Sequence, residues 1–364
     1  MDYVTSRASA ATDNAKENRN AWAEPAVEDL GAGLYRIPLP LPGDALTAVN
    51  VYAMTGDHGV DLIDAGMALV QARERLTAAL SELGYGLPDI RNFFITHIHQ
   101  DHYTLAVELR TTLRGLIALG EGERDNLVAI RDVAEGNHEP GFIEMLPALG
   151  AAELAGQVRA IVAPGLANPQ PPLKWDDPDR WLSDGAVIDL PSRSLRAIHT
   201  PGHTRGHVVF HDEAAAVLFA GDHVLPHITP SIGFQPAITR QALSQYLGSL
   251  RLMLTLPDAR LLPAHGPVRD STHVRVNELL AHHEARLGQT LEVASAGPVT
   301  AFAAAAALPW TRRQRRFAEL DPMNQLLAVG ETAAHLEVLV LRGQLVRVTS
   351  PDGVDFYSRL DTVG

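Results

Sequence analysis

The chain predicts an α/β fold: two β-sheets packed face to face, helices outside them, and a smaller helical unit with a hairpin at the C-terminal end. Three observations carry this reading. Short apolar strand patterns first form a meander bounded by Gly, Pro and Asp, then alternate with helical patterns. The same order recurs in the second half, which suits two stacked sheets with helices outside better than one parallel sheet. Beyond residue 270, long helical periods replace the strand signals until a final hairpin.

Residues 1–28 are rich in Ala, Asn, Asp and Glu, show no period, and read as a flexible arm. Strands are expected at 33–37 and 47–54 around a Pro/Gly turn region at 38–43. Gly56-Asp57-His58-Gly59 then turns the chain into a strand at 60–63. Asp64 ends that strand ahead of a helical pattern at 68–83, and taken alone it reads as a helix cap. After an apolar run at 93–95, helices are expected at 104–113 and 121–134 with a strand at 115–119 between them. Residues 136–182 break the rhythm with two short helical patterns and a Pro-rich loop, as lids and binding loops do. Strands resume at 186–190, 194–199, 207–211 and 216–220, followed by a helix at 239–254 and a strand at 259–262.

Composition narrows the chemistry. The chain has 364 residues, 46% hydrophobic and 20% charged, enough for one large domain and a small one. Its net charge of −13 repels nucleic acid and anionic membrane. No apolar run reaches bilayer-spanning length and no leader-like segment opens the chain, so the expected location is cytoplasmic. Without cysteine there is no thiolate ligand or cysteine nucleophile, so any metal must be held by imidazole and carboxylate. Such donors suit zinc, iron or manganese.

The chemistry concentrates in Ile95-Thr96-His97-Ile98-His99-Gln100-Asp101-His102, where a buried strand ends and a helix begins. His97 and His99 project to one side of extended backbone, whereas Asp101 and His102 lie beyond the turn and aim elsewhere. One short loop can therefore serve two adjacent cations. Three further strand ends share this pattern of a polar group beside a tight turn: His199-Thr200-Pro201-Gly202-His203-Thr204, Ala220-Gly221-Asp222-His223 and Pro263-Ala264-His265-Gly266.

These motifs, in this order, resemble the metallo-β-lactamase-fold hydrolases over about residues 30–270. The resemblance runs through Asp64 in Leu62-Ile63-Asp64-Ala65-Gly66, the His97-x-His99-x-Asp101-His102 run, His203, Asp222 and His265. It implies an αββα sandwich at 29–270, with two divalent metal ions at one edge, zinc first among them. It further implies that His97, His99 and His203 hold one metal, that Asp101, His102 and His265 hold the other, and that Asp222 bridges them. Asp64 is then a supporting carboxylate, and Asp64, Asp101 and Asp222 form the catalytic acids. A paired-cation site of this kind lowers the pKa of a shared water, so the implied reaction is metal-assisted hydrolysis.

Departures from the family pattern bear on substrate. Tyr103-Thr104-Leu105 follows His102 where many relatives have x-Gly-Gly or x-Gly, and Tyr103 is expected either to offer a hydroxyl to the site or to pack on the first helical turn. His207, His223 and His227 are further candidates for substrate contact. The missing cysteine argues against antibiotic hydrolysis.

Residues 271–364 predict helices at 272–293, 298–306 and 324–342, then a hairpin at 344–348 and 354–358 around Pro351-Asp352-Gly353. That order resembles the winged helix that follows the sandwich in a glyoxalase II-like and endoribonuclease-like branch of the family. The leading expectation is hydrolysis of a small ester-like compound, a thioester or lactone, with the tail walling the pocket or joining two copies in a homo-oligomer. The alternatives are a phosphodiesterase or endoribonuclease that holds nucleic acid, and a non-catalytic regulator. Arg312-Arg313-Gln314-Arg315-Arg316 is a basic cluster that could meet phosphates, or a solvated face paired with Glu319 or Asp321.

Overall fold

The computed structural model describes residues 21–42, 46–113, 115–167, 173–234, 237, 239–311 and 314–359. Residues 1–20 of the expected arm, Gly43 of the first turn region, part of the Pro-rich loop, and Arg312 and Arg313 of the basic cluster lie outside them. The rest of the expected arm is structured: residues Ala21–Ala23 form a short turn, and Trp22 accepts a hydrogen bond from Arg36 at 2.7 Å through its carbonyl.

The first sheet holds seven strands in sequence order: β1 (Glu28–Gly31), β2 (Leu34–Pro40), β3 (Ala48–Gly56), β4 (Gly59–Ile63), β5 (Ile90–Ile95), β6 (Leu116–Gly120) and β7 (Arg180–Leu182). β1 to β4 are an antiparallel meander, and β4 to β7 run parallel. The crossovers are α1 (Val70–Glu82), α2 (Gln100–Arg110), and the group α3 (Arg124–Ala134), α4 (Gly141–Glu144) and α5 (Ala152–Ala167). The second sheet has the order β12-β11-β10-β9-β8, from β8 (Val187–Leu190), β9 (Arg193–His199), β10 (Val208–Asp212), β11 (Val217–Gly221) and β12 (Arg260–Pro263). The helix α6 (Ala242–Met253) makes the crossover between the parallel pair β11 and β12.

Side-chain alternation builds the layers. Tyr52, Met54, Ile63 and Phe94 face Val208, Phe210, Phe219 and Leu262 between the sheets, with the Tyr52 and Phe219 rings edge-on at 5.5 Å. The opposite face of the first sheet packs Val51, Leu62, Phe93 and Ile95 against Leu76, Leu80, Leu105 and Leu109 of α1 and α2. On the far face of the second sheet, Val209, Leu218 and Leu261 meet Leu243, Leu247 and Leu250 of α6. The layers are therefore helix, sheet, sheet, helix, as the resemblance implies.

The tail follows the expected order of three helices and a hairpin: α7 (Thr272–Ala294), α8 (Ala301–Ala307), α9 (Pro322–Leu341), then β13 (Val346–Thr349) and β14 (Asp355–Ser358). Asp321 caps α9, accepting hydrogen bonds from Met323 and Asn324, and among the described residues it forms no ion pair with Arg315 or Arg316. Arg316 pairs with Glu319 at 3.0 Å. The tail is not a separate body. Ile143, Leu146, Leu149 and Leu154 of the 136–182 excursion share one core with Ala304, Leu336, Leu339 and Tyr357. Backbone bonds from Phe302 to Leu149 and from Asp355 to Ala148 join the two regions at 3.0 and 2.8 Å.

Candidate metal centre

Every expected ligand sits at one edge of the sandwich, where strands release the chain. β5 is buried from Phe93 onward and delivers Thr96, His97 and His99 at its carboxyl end. α2 starts at Gln100, earlier than its apolar period indicates, so Asp101 and His102 lie in its first turn. The partial positive charge of a helix N-terminus favours a carboxylate there. His203 lies in the turn between β9 and β10, Asp222 follows β11, and His265 follows β12. Gly221 has φ 50°, and a Cβ on it would lie 2.7 Å from both His207 Nε2 and Thr96. Only glycine fits where these loops converge.

Two groups of donors result. His97 Nε2 lies 3.0 Å from His99 Nδ1 and 3.3 Å from His203 Nε2, and the last two nitrogens are 3.1 Å apart. Asp101 Oδ2 lies 3.5 Å from His102 Nε2 and 3.3 Å from His265 Nε2. Asp222 faces both groups: one oxygen is 3.5 Å from His203 Nε2, and the other is 3.7 Å from His102 and 3.3 Å from His265. His102 Nε2, His265 Nε2 and Asp222 Oδ1 are buried and, among the described residues, have no hydrogen-bond partner. Buried polar atoms that converge without bonding one another require a guest, and this donor set suits a divalent cation. His97, His99 and His203 form one group able to hold a metal, and Asp101, His102 and His265 another; His97, His102 and Asp222 are a third overlapping set.

The outer side of four of the five rings is anchored. His97 Nδ1 meets Thr96 Oγ1 at 3.1 Å, His203 Nδ1 donates to the Ser231 carbonyl at 2.9 Å, and His265 Nδ1 donates to the Ala48 carbonyl at 2.7 Å. His102 Nδ1 lies 2.8 Å from Asp64 Oδ2. Such partners fix the tautomer and leave Nε2 directed at the centre. Asp64 is not a cap: α1 has Leu69 at its N-cap position with no side-chain bond. Instead it adopts φ 59° and accepts from the Thr96 amide at 2.8 Å and the Thr96 hydroxyl at 3.0 Å. A non-glycine residue held in that conformation marks a position fixed by its contacts.

Electrostatics divide the cluster. Burial holds the His97 and His203 rings below their ordinary range and takes His99 to about 3, so all three stay neutral and able to donate lone pairs. Burial opposes charge on Asp101 and Asp222, yet neighbouring imidazoles outweigh it and hold both carboxyls low, His102 leading for Asp101 and His265 for Asp222. Burial also disfavours protonated His102 and His265, but Asp101 and Asp64 raise the first, and Asp222 and Asp101 raise the second. A cation at this position replaces those protons.

Three of the four expected substrate contacts lie elsewhere. Tyr103 is fully buried, its hydroxyl donating to the Asp176 carbonyl at 2.6 Å and its ring stacking on Trp175, because α2 turns it away from the centre. His207 is buried behind the ligands. Its Nε2 accepts from the Asp222 amide at 3.2 Å, which places its proton on Nδ1, 2.9 Å from Thr200 Oγ1. His223 is buried edge-on to Tyr246. His227 alone lines an open cavity, beside Ile228 and Thr229.

One participant escaped the sequence reading. Glu123 is fully buried and accepts from Thr204 Oγ1 and from Asn126 Nδ2, the latter at 2.6 Å. The backbone amides of Ile98 and Gly206 bond to the same carboxylate. It therefore ties the His97–His99 loop to the His203 turn. Burial pushes its carboxyl up to about 6.

Residues 45–265 match the family described as the metallo-beta-lactamase superfamily, and residues 287–360 match the metallo-beta-lactamase-like C-terminal domain. The chain belongs to the metallo-beta-lactamase superfamily. Among solved structures it is similar to a metallo-beta-lactamase family protein from Thermus thermophilus, at 28% identity and TM-score 0.72, covering 91% of this chain and 100% of that one. Among curated proteins it is similar to the probable metallo-hydrolase YqjP of Bacillus subtilis, 24% identical over 84% of this chain and 90% of that protein. It also resembles the atrochrysone carboxyl ACP thioesterase of Aspergillus fumigatus, 36% identical over 30% of this chain and 25% of that protein. The chain spans about a third of the length of the first fungal lactamase-like relatives it matches. Among the described residues no helix is long and apolar enough to cross a membrane.

Proposed function

We propose that this superfamily hydrolase cleaves an ester-type bond, a thioester or lactone, in a small molecule, using two divalent cations of which zinc is the first expectation. The observation that carries the reading is the convergence of seven imidazole and carboxylate donors into two groups, with Asp222 facing both. In this reading His97, His99 and His203 hold one cation and Asp101, His102 and His265 the other. Bound there, the cations supply Lewis acidity and a water that ionises near neutral pH. The chain's own groups do the positioning. Asp64 accepts a hydrogen bond from His102 Nδ1 and anchors Thr96, while the Ser231 and Ala48 carbonyls orient His203 and His265. His207 holds the Asp222 backbone through its amide. The likeness to a thioesterase supports the acyl-substrate reading over the phosphodiesterase alternative.

The test compares turnover of a thioester and lactone panel with cleavage of a fluorescent RNA, in zinc, manganese and iron. Thioester or lactone turnover that disappears on chelation and in Asp222→Ala is expected. RNA cleavage that falls steeply with salt, without acyl turnover, overturns the reading.

A further inference from the structure

A cavity of about 540 Å3, within the usual size range of small-molecule pockets, lies between the loop carrying His227, Ile228 and Thr229, the helix α7, and Trp310 of the tail. That loop also flanks the metal centre. Ser231 anchors His203, and Pro226 packs so closely on Gly266, next to His265, that a Cβ there would lie 2.5 Å from its ring. A molecule in the cavity is thus one loop away from both donor groups.

Among the described residues the cavity is lined by two arginines in different states. Arg275 is engaged through all three nitrogens: it donates to the Leu225 and Ile228 carbonyls at 2.6 and 2.9 Å and to Glu278 at 2.8 Å, and so braces the loop. Arg286 uses only Nη1, which donates to Gln289 Oε1 and the Pro309 carbonyl, both at 3.1 Å. Its guanidinium lies over the Trp310 ring at 4.6 Å, and Trp310 is itself fixed by donation to the Ala305 carbonyl at 2.8 Å. The Nε–Nη2 edge makes no hydrogen bond among the described residues, and Glu331 stands off from Nε at 3.8 Å. That edge of a guanidinium presents two parallel N–H groups spaced to match a carboxylate.

We propose that this cavity receives a carboxylate carried by the substrate of the metal centre, remote from the bond to be cut, on the Nε–Nη2 edge of Arg286. The inference rests on the acyl-hydrolase reading above. Glu331 competes for the same arginine from 3.8 Å, beyond hydrogen-bond reach of its Nε. The two side chains therefore act with opposite sign. Losing Arg286 removes the anchor, whereas neutralising Glu331 removes a rival charge. A purely structural role for the pair gives no such opposition.

The experiment uses metal-loaded full-length protein and matched alkyl half-thioesters of dicarboxylic acids from succinyl to suberyl, each beside its methyl-capped partner. The wild type is expected to favour at least one free acid over its capped form in kcat/KM by about tenfold, equivalent to ~1.4 kcal/mol. Arg286→Gln is expected to abolish that preference with unchanged metal content, and Glu331→Gln to increase it. Should Arg286→Gln fail to fold, Arg286→Lys, which keeps the charge but loses the fork, is expected to reduce the preference. A preference that stays undiminished in these Arg286 variants, or one that falls in Glu331→Gln, overturns the proposal. If neither these thioesters nor the lactone panel is turned over, the acyl-hydrolase reading falls, and calorimetry with suberate tests the cavity alone. Binding about tenfold weaker in the Arg286 variant then upholds the carboxylate site, and equal binding overturns it. Tighter binding of an alkyl phosphate than of suberate overturns the assignment to carboxylate.

Discussion

Replacing Glu123 by glutamine separates loop positioning from fold stability. The carboxylate accepts from four donors: Thr204 Oγ1, Asn126 Nδ2 and the amides of Ile98 and Gly206. An amide oxygen has lone pairs for about two of them, and its NH2 group faces the rest. Two buried donors left unpaired cost about 2–4 kcal/mol. Against this, a carboxyl raised from 4.5 to about 6 ionises at a cost of about 2 kcal/mol at neutral pH, and glutamine avoids that cost. The net loss of stability is therefore small, about 0–2 kcal/mol, which shifts melting by at most a few degrees in a chain of this size. Metal binding changes more. Ile98 lies between His97 and His99, and Thr204 follows His203, so a shift at Glu123 displaces all three imidazoles of one donor group. Outer residues of this kind typically change metal affinity by about 10–100-fold. Competition with a fluorescent chelator and urea unfolding of the metal-free protein measure the two effects separately. Wild-type metal affinity in a folded Glu123→Gln protein refutes the reasoning, as does complete unfolding, which would make the carboxylate a support of the fold.

Other expected outcomes follow from the same geometry. Asp222→Ala should abolish turnover and lower bound metal, measured by elemental analysis; unchanged metal contradicts its position facing both groups. Tyr103→Phe removes only the bond to the Asp176 carbonyl, so metal content and turnover should hold while unfolding shows a loss of about 1 kcal/mol. Buried His335 is held at about 4 by burial and lies 3.2 Å from His283, itself held at about 2. Both values are depressed, so the unfolded chain binds the extra protons, and stability falls as pH drops from about 6.5 towards 4. His335 alone accounts for about 3 kcal/mol of that loss. Unfolding curves for wild type and His335→Gln should converge in this window, and parallel curves refute the assignment.

The ligands were legible because each is announced locally, by a strand end, a tight turn and a donor side chain. Strand positions in both sheets follow from apolar runs and turn residues for the same reason. The supports were not legible, because their partners are distant in sequence. Glu123 meets Thr204 across 81 residues, His265 meets the Ala48 carbonyl across 217, and neither the carbonyls nor a lone glutamate carries a motif. Asp64 shows the limit of local rules. A carboxylate between a strand and a helix is expected to cap, yet its φ of 59° turns it towards Thr96 and His102, while α1 begins at Val70 without it. His207 and His223 read as substrate contacts because proximity in sequence to ligands does not tell front from back. Burial places both behind the centre.

The donor cluster and the cavity are built from different parts of the chain, and this has a consequence for how variation acts. The donors come from strand ends and the first turn of α2, all fixed by the packing between and around the sheets. The cavity draws Arg286 from α7, Glu331 from α9 and Trp310 from the segment between α8 and α9, against a single loop of the sandwich. Substitutions in the tail that leave its shared core intact should therefore change KM and substrate preference with little effect on bound metal, whereas changes at the strand ends should change both. Because the cavity residues come from three segments that share no local pattern, the donor set was readable from spacing, while the cavity required the folded chain.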